Sequence, residues 1–104
     1  MNWNTEENQR FIEAILSLRT AGEARHFLRD LMTENEIGEF AKRLTTAVML
    51  SAQIPYSDIE KQTGFSSRTV ARVSKWLNTG ENGYKAIISR LHHHTLPQLR
   101  KGLS

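Results

Sequence analysis

The chain has 104 residues, 38% of them apolar, and carries 14 Lys and Arg against 11 Asp and Glu for a formal charge of +3, the profile of one small globular domain. It contains no cysteine, which excludes a disulfide framework, a Cys-based zinc site, a thiolate nucleophile and an iron–sulfur cluster together. The longest apolar run, Ala47-Val48-Met49-Leu50, falls far short of a membrane span, and the opening MNWNTEENQR lacks the basic-then-apolar order of a signal peptide, so the expected setting is cytoplasmic, with no membrane partner.

Apolar residues keep helical rather than alternating spacing between the two prolines and the glycines, which predicts an all-α chain. The first helix is expected from about Thr5 to Arg19, with Phe11, Ile12, Ile15 and Leu16 on one face, Glu6 and Glu7 behind a Thr5 start, and Gly22 as its punctuation. Trp3, just before it, reads as a terminal or dimer-packing anchor. In the second helix Ala24, Phe27, Leu28, Leu31 and Met32 make one apolar stripe. Thr33 and Glu36 have the spacing of a capping box that opens a third helix. Its stripe of Ile37, Phe40, Ala41, Leu44, Ala47 and Val48 runs into Met49 and Leu50, so its end is apolar nearly all round, as in a core or subunit interface, and Pro55 is expected to stop it. A last helix is expected from near Asn82, with Tyr84, Ile87, Ile88 and Leu91 on one face.

The stretch between these elements carries the chemistry. From Met1 to Pro55 there are 6 basic and 8 acidic residues, whereas from Tyr56 to Ser104 there are 8 basic and 3 acidic, so the second half is the one a polyanion would approach. It opens with YSDIEKQTGFSSRTVARVSKWL. A short helix capped by Ser57, with Ile59 buried, is expected to stop at Gly64, where a missing Cβ permits a tight turn. Ser66 then caps a second helix with Val70, Val73 and Leu77 on one side and Arg68, Thr69, Arg72 and Lys75 on the others. This is the spacing of a helix-turn-helix, although Glu60 stands where many such units have a small residue. A helix N-terminus fits the major groove, its amides favour phosphate, and arginine pairs in bidentate fashion with guanine. Ser67, Arg68 and Thr69 are therefore expected at base edges, beyond the Ser66 cap, and Ser57, Lys61, Arg72 and Lys75 at phosphates.

The joint order LRDLMTENEIGEFAKRL, TGFSSRTVARVSKWL and LNTGENGY, covering roughly Leu28 to Leu91, resembles the tryptophan repressor family, and especially its repressor-like bacterial branch. The resemblance implies a six-helix Trp-repressor-like fold with a helix-turn-helix, assembled as an intertwined homodimer whose two reading heads lie about 34 Å apart, one turn of DNA. Residues 1–91 would form a single dimerisation and DNA-binding domain and 92–104 a flexible tail. The resemblance also implies a ligand pocket at Thr33, Arg43 and Arg72, between the third helix and the recognition helix. Two residues depart from it. Val73 replaces a glycine that leaves room for an indole, and Trp76 replaces a serine, so a slot that must be nearly flat is narrowed and occupied. Tryptophan is therefore not expected as corepressor, and no cofactor is expected.

Other chemistry finds little support. Three adjacent histidines, His92, His93 and His94, do not share one face of a helix or strand, and His26 stands alone, so no metal site is expected. No familiar nucleophile–base motif or phosphate-cradling glycine pattern is present, and an enzyme is not expected. The leading reading is a sequence-specific transcriptional regulator, a repressor by resemblance, that binds double-stranded DNA as a dimer. The other is a dimeric helical module whose helix-turn-helix docks a protein.

Overall fold

The computed structural model describes residues 1–91; the expected tail at 92–104, with His92, His93 and His94, lies outside the described residues. Six helices and no strands are present among the described residues: α1 Glu6–Ser17, α2 Ala21–Leu31, α3 Glu34–Ser51, α4 Tyr56–Thr63, α5 Ser67–Thr79 and α6 at 83–91. The all-α expectation holds. By internal contacts the chain divides into two compact units, Met1–Gly38 and the part from Glu39 onward.

In the first unit the helix starts are set by short polar side chains. Thr5 caps α1 by accepting the Asn8 amide at 3.2 Å, with Glu6 and Glu7 favourably placed in the first turn. The helix is shorter than its periodicity predicts. It ends at Ser17, Leu18 is extended, and Gly22 lies inside the first turn of α2 rather than punctuating α1. The reason is a second set of caps: Thr20 accepts the Glu23 amide at 3.0 Å, while the Glu23 carboxylate accepts the Arg19 amide at 2.9 Å. Thr33 and Glu36 form the predicted reciprocal box that opens α3, with bonds of 3.1 and 2.9 Å. No residue of α1 or α2 is buried, and Phe11, Ile12, Ile15, Leu16 and Leu31 are all exposed.

The second unit holds the core. Thr46 and Ala47 of α3, Ile59 and Thr63 of α4, and Val70, Val73 and Leu77 of α5 are buried. The α3 helix stops at Ser51, before Pro55, through a Schellman turn: the Ile54 amide reaches the Met49 carbonyl and the Gln53 amide the Leu50 carbonyl, both at 3.0 Å, with Gln53 in the left-handed region at φ 61°. Pro55 instead starts α4, its carbonyl accepting the Asp58 and Ile59 amides at 3.1 and 3.2 Å. This corrects the expected Ser57 cap. The fixed φ of proline begins the helix two residues earlier and leaves Ser57 exposed inside the first turn.

Candidate nucleic-acid interface

The two helices α4 and α5 pack closely, and the turn between them is locked by local bonds. Gly64 is left-handed at φ 77° and its amide bonds the Glu60 carbonyl at 2.8 Å, ending α4. The buried hydroxyl of Thr63 donates to the Ile59 carbonyl at 2.7 Å and accepts the Phe65 amide at 3.2 Å. Sequence reasoning passed over Thr63, whose type would suit a turn but does not announce burial. Ser66 is the N-cap of α5 as expected, accepting the Thr69 amide at 3.2 Å, and its hydroxyl also shares a 3.2 Å bond with the Thr69 hydroxyl. Thr69 is half-buried, so its hydroxyl serves the cap before it serves anything outside.

Helix α5 has two faces with different chemistry. Val70, Val73 and Leu77 are buried, while Arg68, Arg72 and Lys75, at i, i+4 and i+7, recur on one exposed stripe. Ser57, Lys61, Ser66 and Ser67 are exposed as well. The one ion pair among the described residues joins Arg29 and Glu34 at 3.6 Å, so within that span no carboxylate lies within ion-pair distance of Lys61, Arg68, Arg72 or Lys75. The first turns of α1, α2, α3 and α4 each carry an acidic residue, and that of α5 carries none. Its positive end therefore keeps its attraction for an anion, reinforced by two arginines.

The residues of the expected ligand pocket differ in burial and bonding. Thr33 is the cap of α3, in the first unit, its hydroxyl bonded to the Glu36 amide. Arg72 belongs to the exposed stripe, and Val73, 1% exposed, is part of the core. Arg43 and Trp76 come together: the guanidinium carbon of Arg43 lies 6.0 Å from the centre of the Trp76 ring and 5.2 Å from that of Phe40. Trp76 also borders an apolar groove of about 490 Å³ with Leu44, Tyr84 and Ile87. Gly80 forms part of its wall, where a Cβ would collide with the Trp76 carbonyl. No motif signals this groove, because its walls come from α3, α5 and α6.

The family model of the Trp repressor protein matches residues 6–92, spanning every helix from α1 to α6. The chain belongs to the Trp repressor family. Relatives of known structure share its fold: a TrpR-like protein from Eubacterium eligens is 38% identical and superposes with a TM-score of 0.82, covering 86% of this chain and 92% of that one. A candidate Trp repressor from Staphylococcus aureus is 32% identical with a TM-score of 0.81, over 88% of this chain and 94% of that one. The uncharacterised protein YerC of Bacillus subtilis (strain 168) is 38% identical over 86 residues, 83% of each chain. The Trp-repressor-like fold expected from the sequence is thus the fold of this chain. Among the described residues no helix is long and apolar enough to cross a membrane.

Proposed function

We propose that this protein is a sequence-specific DNA-binding transcriptional regulator, a repressor acting in the cytoplasm as a homodimer rather than an enzyme. The observation that carries the reading is α5 itself, a recognition helix held by a locked turn, with an acid-free first turn and a stripe of Arg68, Arg72 and Lys75 without carboxylate partners among the described residues. Membership of the Trp repressor family supports it. In this reading Ser67, Arg68 and Thr69 meet base edges, Ser57, Lys61, Arg72 and Lys75 meet phosphates, and Ser66 holds the helix start. The dimer reading is supported by the N-terminal unit, whose α1 and α2 bury no residue although each has an apolar stripe. Residues 1–91 then work as one dimerisation and DNA-binding domain, with two heads spaced by about one turn of DNA.

Selection of bound DNA from a random pool tests this directly. A recovered palindrome with half-sites about 10 base pairs apart is expected, with affinity falling steeply as salt rises. Recovery of no sequence, together with salt-insensitive capture of a protein, would replace this reading with that of a protein-docking module. Tryptophan is not required, a view supported by the burial of Val73 and by the Trp76 ring beside Arg43. Calorimetry with L-tryptophan checks it: micromolar binding coupled to tighter DNA association would overturn it.

A further inference from the structure

The recognition helix is attached to its neighbours in two different ways. Against α4 its backbone packs closely. Against α3 there is no such close backbone approach among the described residues, and side chains reach across instead. One such contact is the approach of Arg43 on α3 to the Trp76 ring on α5 at 6.0 Å, with Phe40 offering the same guanidinium a second ring at 5.2 Å.

Neither ring is there to fill a core, since Trp76 is 41% and Phe40 46% exposed. Arg43 is half-buried and has no carboxylate within ion-pair distance among the described residues. A guanidinium in that setting is attracted by the negative faces of aromatic rings, more strongly as water is excluded. Trp76 lies eight residues, about 12 Å of helix, beyond Arg68. A tilt of α5 at the Trp76 end therefore also displaces Arg68, near the start of the helix, together with Arg72 and Lys75 between them.

We propose that the Arg43–Trp76 contact is a latch that fixes the pose of the recognition helix against α3 and so pre-orients the DNA-reading stripe, an inference that rests on the DNA-binding reading above. Trp76 and Arg43 are positioning residues that touch no base. The latch is built from this chain's own side chains, so the reading head is set before any small molecule arrives. A dimer carries two latches, and loosening each misplaces one half-site.

The test is a double-mutant cycle on the full chain with Arg43→Met, Trp76→Leu and both together, read as affinity for the selected DNA across a salt series. Each single variant is expected to bind about 3- to 30-fold more weakly. The double variant should bind no more weakly than the weaker single one, and the salt slope should stay that of the parent. Additive losses would overturn the latch, and so would a slope falling by about one unit in Arg43→Met, which would make Arg43 a phosphate contact. Arg43→Lys and Trp76→Phe keep a cation and a ring, and should retain most of the affinity even where the harsher variants fold poorly. A second arm needs no DNA. In a Trp3→Phe background, emission comes from Trp76 alone, since the chain has 2 tryptophans. Arg43→Met should then shift or brighten that emission, and an unchanged spectrum would overturn the latch. Absence of DNA binding in the parent would defeat the DNA-binding reading, while the spectrum would still decide whether the latch exists.

Discussion

The two halves of this molecule bury their apolar residues to very different extents. In the unit from Glu39 onward, Ala47, Ile59 and Val70 are wholly buried and Val73 nearly so. In the unit from Met1 to Gly38, helices of equally clear amphipathic pattern bury nothing, and Leu16 is 78% exposed. Periodicity therefore reports that a helix has an apolar face without reporting what covers it. The charge follows the same division, with 4 basic and 7 acidic residues up to Gly38 and 10 basic and 4 acidic from Glu39 onward. The basic unit, which holds the buried core, suits the proposed reading of a polyanion, and the acidic unit, whose helices bury no residue, suits the proposed association with a second copy.

The largest effect that would break this contrast is in the core. Ile59→Ala removes a fully buried side chain and should cost about 2–5 kcal/mol in urea unfolding. Ile15→Ala, at a position 40% exposed, should change the unfolding of dilute protein little and instead raise the concentration at which sedimentation reports dimers. Equal losses in both variants would mean that the first unit has a core of its own.

Next in size are the contacts with DNA. Arg68→Ala should cost about 1–3 kcal/mol and relax discrimination at one base position, whereas Lys75→Ala should weaken all sequences alike and lower the salt slope by about one. The measurement is a panel of operator variants, each titrated with salt. Uniform loss in both mutants would contradict the separation of base-reading from phosphate-holding residues along α5.

The turn between α4 and α5 comes next. Gly64 has φ 77°, and Gly64→Ala forces an L side chain into the left-handed region although nothing lies within 4 Å of the added Cβ. The cost should be about 1–2 kcal/mol, from backbone strain alone. Thermal unfolding checks it, and a neutral effect would mean that the turn relaxes to another conformation.

What was legible in the sequence were the features that act over three or four residues. Thr5, Thr33 and Ser66 announce helix starts because a cap bonds its own first turn, and Gly64 announces a turn because a residue without a Cβ enters the left-handed region at no steric cost. The Thr20–Glu23 pair has the same spacing as Thr33–Glu36 and carries the same signal, beside a glycine that suggests a helix end instead. The end of α3 was not readable, since Gln53 takes the left-handed position usually held by glycine and Pro55 offered a more obvious stop. The approach of Arg43 to Trp76 and the groove beside Tyr84 join helices far apart in sequence, and no spacing rule reaches that distance.

The smallest expected effect belongs to the first unit and concerns pH. Glu36 accepts the Thr33 backbone amide at 2.9 Å, and that bond, followed by its interaction with the Thr33 side chain, holds its carboxyl below the ordinary carboxylate range against a slight opposing pull from desolvation. A carboxyl with a lowered value in the folded chain binds its proton more readily when unfolded, so its contribution to stability is complete above the unfolded value of about 4.3 and is lost as pH falls through the lower folded value. Glu36→Gln keeps an acceptor for the Thr33 amide but cannot titrate. The variant should melt slightly below the parent at pH 7, because a charged acceptor bonds the amide more strongly and also favours the positive end of α3. That gap should close as pH is lowered through the unfolded value and then through the lower folded one, while the acid-induced losses shared by other carboxylates cancel in the comparison. Because Glu36 is exposed, salt should shrink the gap at pH 7 as well. A gap that widened on acidification would reverse the sign and show that the protonated carboxyl, not the carboxylate, is the form that the start of α3 prefers.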